Sequence, residues 1–421
     1  MKITDLVLYR EPGHRDIIEQ ITALMEGSGE ADPAGTAGAL VEFAASHGFK
    51  GNLWHSLLAY VLATNENAFS IACEIRGKVR GTINELALHD FDIFRQWFEY
   101  DLKTLGERIG CPIFGMLEHY ESTGTHSQVF NRRIRDNIQN LSVALSKAGT
   151  PENWLDIITD FYRRFGVGKF GLHKAFRLEI KQEHMEIVPI KNIEHVYLDD
   201  LVGYESQKKK LIENTEAFVE GRQANNCLLY GDSGTGKSSS IKAILHKYYD
   251  QGLRMIEIYK HQFRDLSDVI SQIKNRNYKF IIYMDDLSFE EFEIEYKYLK
   301  AIIEGGLEVK PANVLIYATS NRRHLIRENF SDKEEVREDM HRSDTVQEKL
   351  SLVARFGVTI YYGRPEPKEF KRIVTTLARR AGIDMPEEEL LLEAGRWELS
   401  HGGISGRTAV QFITYLLGKK K

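Results

Sequence analysis

The sequence is poor in cysteine, in proline and in long apolar runs, and each shortage narrows what the chain can be. Its three cysteines, Cys73, Cys111 and Cys227, stand far apart in 421 residues and form no metal-like pair. That argues against structural disulfides or zinc and for a reducing compartment. Only nine residues are proline, so extended disordered or polyproline segments are not expected. No stretch approaches the roughly 18 apolar residues of a membrane helix. The first twenty residues carry Asp5, Arg10, Glu11, His14, Arg15 and Asp16 in place of the apolar core of a secretory signal. A cytoplasmic protein with no membrane partner is expected. A dominant charge is missing too: 61 acidic residues face 56 basic ones, a net charge of -5, so no global field draws the chain onto nucleic acid or an anionic surface.

What is present is enough apolar material for more than one core. Hydrophobic residues make up 42% and charged residues 28% of the chain, and single cores stop growing at roughly 250 to 300 residues. Residues 1–190 read as a mostly helical N-terminal domain, with apolar residues at three and four spacing around Leu57 to Ala63, Phe91 to Leu105 and Trp154 to Phe165. Trp54, Trp97, Phe98 and Tyr100 fall at helix-core spacing there and are assigned no ligand. Glu179 to Asp200 reads as a connector, with the boundary at 185–198. Over 198–364 the pattern changes to short apolar runs between helical stretches: Cys227 to Tyr230, Met255 to Ile258, Phe280 to Met284, Val314 to Ala318 and Val358 to Tyr362. Five such runs predict an α/β unit with a parallel five-stranded sheet covered on both faces. After Pro365 and Pro367 the runs cease, and 365–421 reads as a small helical lid ending in a solvated tail, Lys419 to Lys421.

The first run leads into Gly231-Asp232-Ser233-Gly234-Thr235-Gly236-Lys237-Ser238, followed by Ser239. This is the P-loop pattern. Its glycines let successive N–H groups turn inward onto phosphate oxygens, and the helix beginning near Lys237 adds its positive end. Lys237 would reach the β- and γ-phosphates of a nucleotide and Ser238 would hold Mg²⁺. The third run ends in Asp285-Asp286, where carboxylates emerge at the carboxyl edge of the sheet. Asp285 would hold the Mg²⁺ shell through water, and Asp286 stands where a hydrolytic enzyme places the acid that orients and deprotonates the attacking water. The fourth run leads into Thr319-Ser320-Asn321-Arg322-Arg323. If that strand lies between the first and third, Asn321 reaches the γ-phosphate or the attacking water.

Taken together these segments resemble an AAA+ ATPase over about 200–418, with Walker A at 231–238, Walker B at 280–286 and sensor 1 at Asn321. Leu201-Val202-Gly203-Tyr204, Asp285 to Glu290, Glu348-Lys349-Leu350-Ser351 and Ser405 to Ala409 resemble more closely an uncharacterised bacterial family of AAA+-type proteins, known as a domain of unknown function. The resemblance implies ATP and Mg²⁺ as cofactors, a homo-oligomer such as a ring or hexamer, and a protein or nucleic-acid client. It implies an arginine finger at Arg355, which would complete a neighbouring subunit's site, and a sensor 2 at Arg407 that reads the γ-phosphate from the lid. Leu201, Val202 and Gly203 would contact adenine.

Two features depart from that class. Walker B usually ends in Asp-Glu, whereas Asp286 is shorter by one methylene, so Glu290 or Glu291 is an alternative base. Tyr259-Lys260-His261-Gln262-Phe263 lacks the glycine of a polypeptide-threading loop. With Arg264 it instead offers cations beside aromatics, which suits a nucleic-acid strand. Three functions follow: an oligomeric ATPase that remodels a macromolecular partner, a nucleotide-locked binding module with negligible hydrolysis, and a DNA-processing ATPase of the loader or initiator type.

Overall fold

The structure is a computed structural model that describes the chain apart from residues 1, 28–31, 79, 122–131, 182–183, 290–292, 305–310, 322–324, 326–351 and 420–421. Glu290, Glu291, Arg322, Arg323, Lys420, Lys421 and the segment 348–351 therefore lie outside the described residues. The chain divides into two compact units, Met1–His173 and Lys174–Lys421.

The first unit is helical among its described residues, and its apolar stripes converge on one core. Trp54, Trp97 and Phe98 are buried in that core, and the Trp54 indole donates to the Trp97 carbonyl at 2.7 Å. The segment around Phe91 to Leu105, with its three and four spacing, falls on two helices, Thr82–Glu99 and Leu102–Ile109. The break is chemical: Asp101 caps the second helix by accepting from the Thr104 N–H at 2.5 Å. A fully buried acid anchors the start of the chain. Asp90 accepts the N–H groups of Val7, Leu8 and Tyr9 at 2.9, 2.8 and 3.1 Å.

The second unit is built on a seven-stranded sheet in the order β2-β1-β4-β5-β6-β3-β7. Its strands are β1 (Ala175–Lys181), β2 (His184–Pro189), β3 (Cys227–Gly231), β4 (Leu253–Glu257), β5 (Lys279–Met284), β6 (Val314–Ser320) and β7 (Val358–Tyr362). β3 to β7 are the five expected strands, and every pairing among them is parallel. β6 is buried along its whole length and β5 nearly so, as parallel strands covered on both faces must be. The sheet also holds a hairpin that the sequence did not lead us to expect, its second strand inside the expected connector Glu179 to Asp200: β1 pairs antiparallel with β2 and parallel with β4. The unit therefore begins at Lys174 rather than in 185–198. Phe176 and Leu178 fill the core under this added edge.

Three helices, Pro367–Arg380, Glu387–Ser400 and Gly406–Lys419, form the expected lid around their own core of Phe370, Val374, Ala394, Ala409 and Phe412. Val202 packs against that core, so the segment before β3 and the lid share one apolar surface. Among the described residues no helix is long and apolar enough to cross a membrane.

Replacing Asp90 with alanine leaves three inward N–H groups without their acceptor, each worth about 1 to 3 kcal/mol when unsatisfied. Chemical denaturation of Asp90→Ala should show a loss of at least about 2 kcal/mol; an unchanged midpoint contradicts the anchoring role.

Candidate functional site

A cleft of about 660 Å³ opens at the carboxyl ends of the parallel strands, between the loop after β3 and the lid. This is where ligands bind in open parallel sheets, and the volume suits a nucleotide-sized molecule.

The floor of the cleft is the loop joining β3 to the helix Lys237–Tyr248. Gly231 has φ 133°, and a Cβ there would stand 2.2 Å from the Tyr362 backbone oxygen, so only glycine lets the loop leave β3 this close to β7. Gly236 caps the helix in the left-handed region with no side-chain bond to the first turn. The early N–H groups of that helix are thus left for a ligand.

Around this floor the candidate residues form one hydrogen-bonded circuit. The Ser238 hydroxyl donates to Asp285 Oδ1 at 2.7 Å. The Thr319 hydroxyl, at the end of β6, donates to the same oxygen at 2.5 Å and accepts the Asp286 N–H at 2.9 Å. Asn321 Nδ2 donates to Asp286 Oδ1 at 2.7 Å. Lys237 Nζ closes the circuit by donating to Asn321 Oδ1 at 3.0 Å, and it also holds the Gly231 and Asp232 carbonyls at 2.9 and 2.6 Å. The circuit exists because β6 lies between β3 and β5, the arrangement on which the expected place of Asn321 depended.

Electrostatics follow the geometry. Burial lowers the pKa of Lys237 from its ordinary value, against the pull of Asp232, Asp286 and Asp285. Burial pushes the Asp285 carboxyl up, but hydrogen bonds, those from Thr319 and Ser238 foremost with others from Tyr283 and the Asp286 backbone, more than offset it and hold the group below the usual carboxylate value. Asp285 thus stays an anion beside a serine hydroxyl, an all-oxygen donor pair of the kind Mg²⁺ takes along with waters and phosphate. The residues present fit the metal and a phosphate chain: an anion and a hydroxyl together, a lysine, and a glycine loop with free N–H groups.

The remaining expected residues divide. Ser233, Gly234, Thr235, Gly236, Ser239, Leu201, Val202 and Arg407 line the cleft. Arg407 reaches Ser233 Oγ at 3.4 Å, and its N–H donates to the Gly234 carbonyl at 3.1 Å. Gly231, Asp232 and Gly203 are not among the lining residues. The Asp232 carboxylate instead accepts the Arg364 N–H at 3.0 Å, tying the loop to the chain that leaves β7. Gly203, at φ 84°, lies against Glu369 of the lid. Arg355 sits in the turn before β7, at the amino end of a sheet whose carboxyl ends frame the cleft, and does not line it.

Several lining residues escaped the sequence reading. Thr319 stood in a quoted segment but was given no role. Tyr362, Ile373, Leu377 and Val410 add apolar surface to the cleft lining. Three of these lie on lid helices, where helical spacing marks them only as core. Lys260 is paired with both oxygens of Glu293 at 2.7 and 2.8 Å, which offsets one of the charges that made its loop a nucleic-acid candidate.

A family model described as "Protein of unknown function (DUF815)" matches residues 171–420, more than half of the chain. The chain belongs to the DUF815 family. The match begins where the first compact unit ends and takes in the whole cleft. No curated protein matches the chain. Among solved structures, a mutant form of RuvB from Thermotoga maritima is 16% identical, with 52% of this chain and 64% of that chain covered and a TM-score of 0.37. The FIGL-1 AAA domain in complex with ADP is 19% identical, with 54% and 74% covered and a TM-score of 0.36. The chain thus spans less than two thirds of that RuvB chain.

Gly231→Ala is expected to destabilise the protein by more than about 1 kcal/mol, because the native backbone there is incompatible with a side chain. A denaturation midpoint equal to wild type contradicts the close approach of Gly231 to Tyr362.

Proposed function

We propose that the cleft binds ATP with Mg²⁺ and that this DUF815 chain is an AAA+-type ATPase whose cycle drives a conformational change on a macromolecular partner. The observation that carries the reading is the circuit from Lys237 through Asn321, Asp286, Thr319 and Asp285 to Ser238, set under a glycine loop at the carboxyl edge of a parallel sheet.

In this reading the N–H groups of Ser233 to Ser239 receive the phosphates, and Lys237 exchanges its loop carbonyls for β- and γ-phosphate oxygens. Ser238 and Asp285 hold Mg²⁺, which neutralises charge on the phosphates when bound. Asp286, fixed by Asn321, accepts the proton of the attacking water. Arg407 contributes a permanently charged guanidinium from the lid. The apolar surface formed by Leu201, Val202, Tyr362, Ile373 and Leu377 takes the base. Arg355, away from its own cleft, serves the cleft of a neighbouring copy in a homo-oligomer, a ring or hexamer, whose client is a protein or a nucleic acid.

A second reading, a nucleotide-locked binding module, is favoured by one observation: the short carboxylate of Asp286 is already engaged by Asn321, which limits its use as a base. The loader-type DNA reading loses support from the Lys260–Glu293 pair.

Steady-state ATP hydrolysis against protein concentration separates these. Specific activity should rise with concentration in the wild type and fall at least about ten-fold in Arg355→Ala, since trans arginines are worth far more than that in related chemistry. Asp286→Asn should bind ATP as wild type does and lose turnover; unchanged turnover moves the base to another acid. Tight binding without turnover at any concentration in the wild type supports the binding module instead.

A further inference from the structure

We propose that Thr319 is the positioning residue for both acids after β5, and that the second acid is an aspartate because the turn holds it in the left-handed backbone region. The inference rests on reading the cleft as a Mg²⁺ and ATP site.

Asp286 has φ 51°, one of three non-glycine residues in the left-handed region among the described residues. Aspartate and asparagine enter that region several-fold more often than other side chains, because their short polar groups bond locally. The turn is enforced from β6. The Thr319 hydroxyl takes the Asp286 N–H at 2.9 Å, and the Thr319 carbonyl takes the Leu287 N–H at 2.7 Å. Two successive N–H groups therefore end on one residue. The hydroxyl has a single proton, and that proton goes to Asp285 at 2.5 Å. Thr319 is only 2% exposed, and its branched side chain is stiff about χ1, so the hydroxyl works as a fixed post.

The consequence is directional. In a strand that ran on extended, residues 285 and 286 would face opposite sides of the sheet. Here both acids line the same cleft, and the second meets Asn321 at 2.7 Å. A glutamate at 286 would be strained by the backbone and one methylene too long for that contact. The departure from Asp-Glu is thus matched to the turn that Thr319 builds, and restoring the longer acid should damage the site rather than improve it.

The test compares wild type with Thr319→Val, which keeps shape and loses the hydroxyl, Thr319→Ser, which keeps the hydroxyl, and Asp286→Glu. Four readouts are taken on the full chain: thermal midpoint, affinity for a fluorescent ATP analogue without metal, Mn²⁺ affinity by electron paramagnetic resonance with ATP present, and kcat and KM. In Thr319→Val, metal-free nucleotide affinity should stay within about two-fold, while Mn²⁺ affinity falls about 10- to 100-fold, as for other losses of an outer-sphere partner, and kcat falls with it. Thr319→Ser should recover most of both, and Asp286→Glu should bind nucleotide normally and turn over more slowly. Wild-type Mn²⁺ affinity and kcat in Thr319→Val, or faster turnover in Asp286→Glu, overturns the proposal. If Thr319→Val does not fold, Asp286→Glu decides by itself. If the wild type binds nucleotide without turnover, the hydrolysis reading fails and the Mn²⁺ comparison still decides the role of Thr319. Absence of any nucleotide binding overturns both.

Discussion

The site depends on one carboxylate oxygen. Asp285 Oδ1 receives hydrogen bonds from Ser238, on the helix after β3, and from Thr319, at the end of β6, so the ends of three strands meet on a single acceptor. Partial desolvation in the cleft disfavours an anion unless hydrogen bonds satisfy it, and these bonds are the leading ones that hold the Asp285 carboxyl below its usual value. The meeting is possible only because β6 is inserted between β3 and β5. Sheet order, loop and the Ser238–Asp285 pair are therefore one constraint.

The lid adds a second. Ile373, Leu377, Val410 and Arg407 come from lid helices, while the polar circuit comes from the sheet. A ligand filling the cleft would touch both and favour the lid position that allows this, which is how binding energy becomes a shift between conformations. The Arg364–Asp232 contact and the seat of Val202 on the lid core lie along the same boundary. Residues 1–170 fall outside the family match and carry a separate core.

Much of this was legible in the residues. Strands buried on both faces read as continuous apolar runs, so β3 to β7 stood out, and the eight residues 231–238 carry their own chemistry. The β1–β2 hairpin was missed for the converse reason: Phe176, Leu178 and Ile180 alternate with Arg177, Glu179 and Lys181, a half-buried pattern without a run. Asp286 was legible as an unusual residue but not as an explained one, because its backbone conformation is imposed by Thr319, distant in sequence. The apolar surface of the cleft was hidden because a helix stripe looks alike whether it packs on protein or on a ligand. By resemblance Arg407 was expected at its own chain's cleft and Arg355 at a neighbour's, and of the two only Arg407 lines the cleft of its own chain.

Calorimetric titration of the full chain with ATP, with and without Mg²⁺, for wild type and Lys237→Ala, tests the central claim most directly. The account predicts one site per chain, tighter with Mg²⁺ and weakened at least about ten-fold in the variant, the loss of one charged phosphate contact worth 1.4 kcal/mol or more. Absence of heat in the wild type under either condition, or equal affinity in Lys237→Ala, contradicts it.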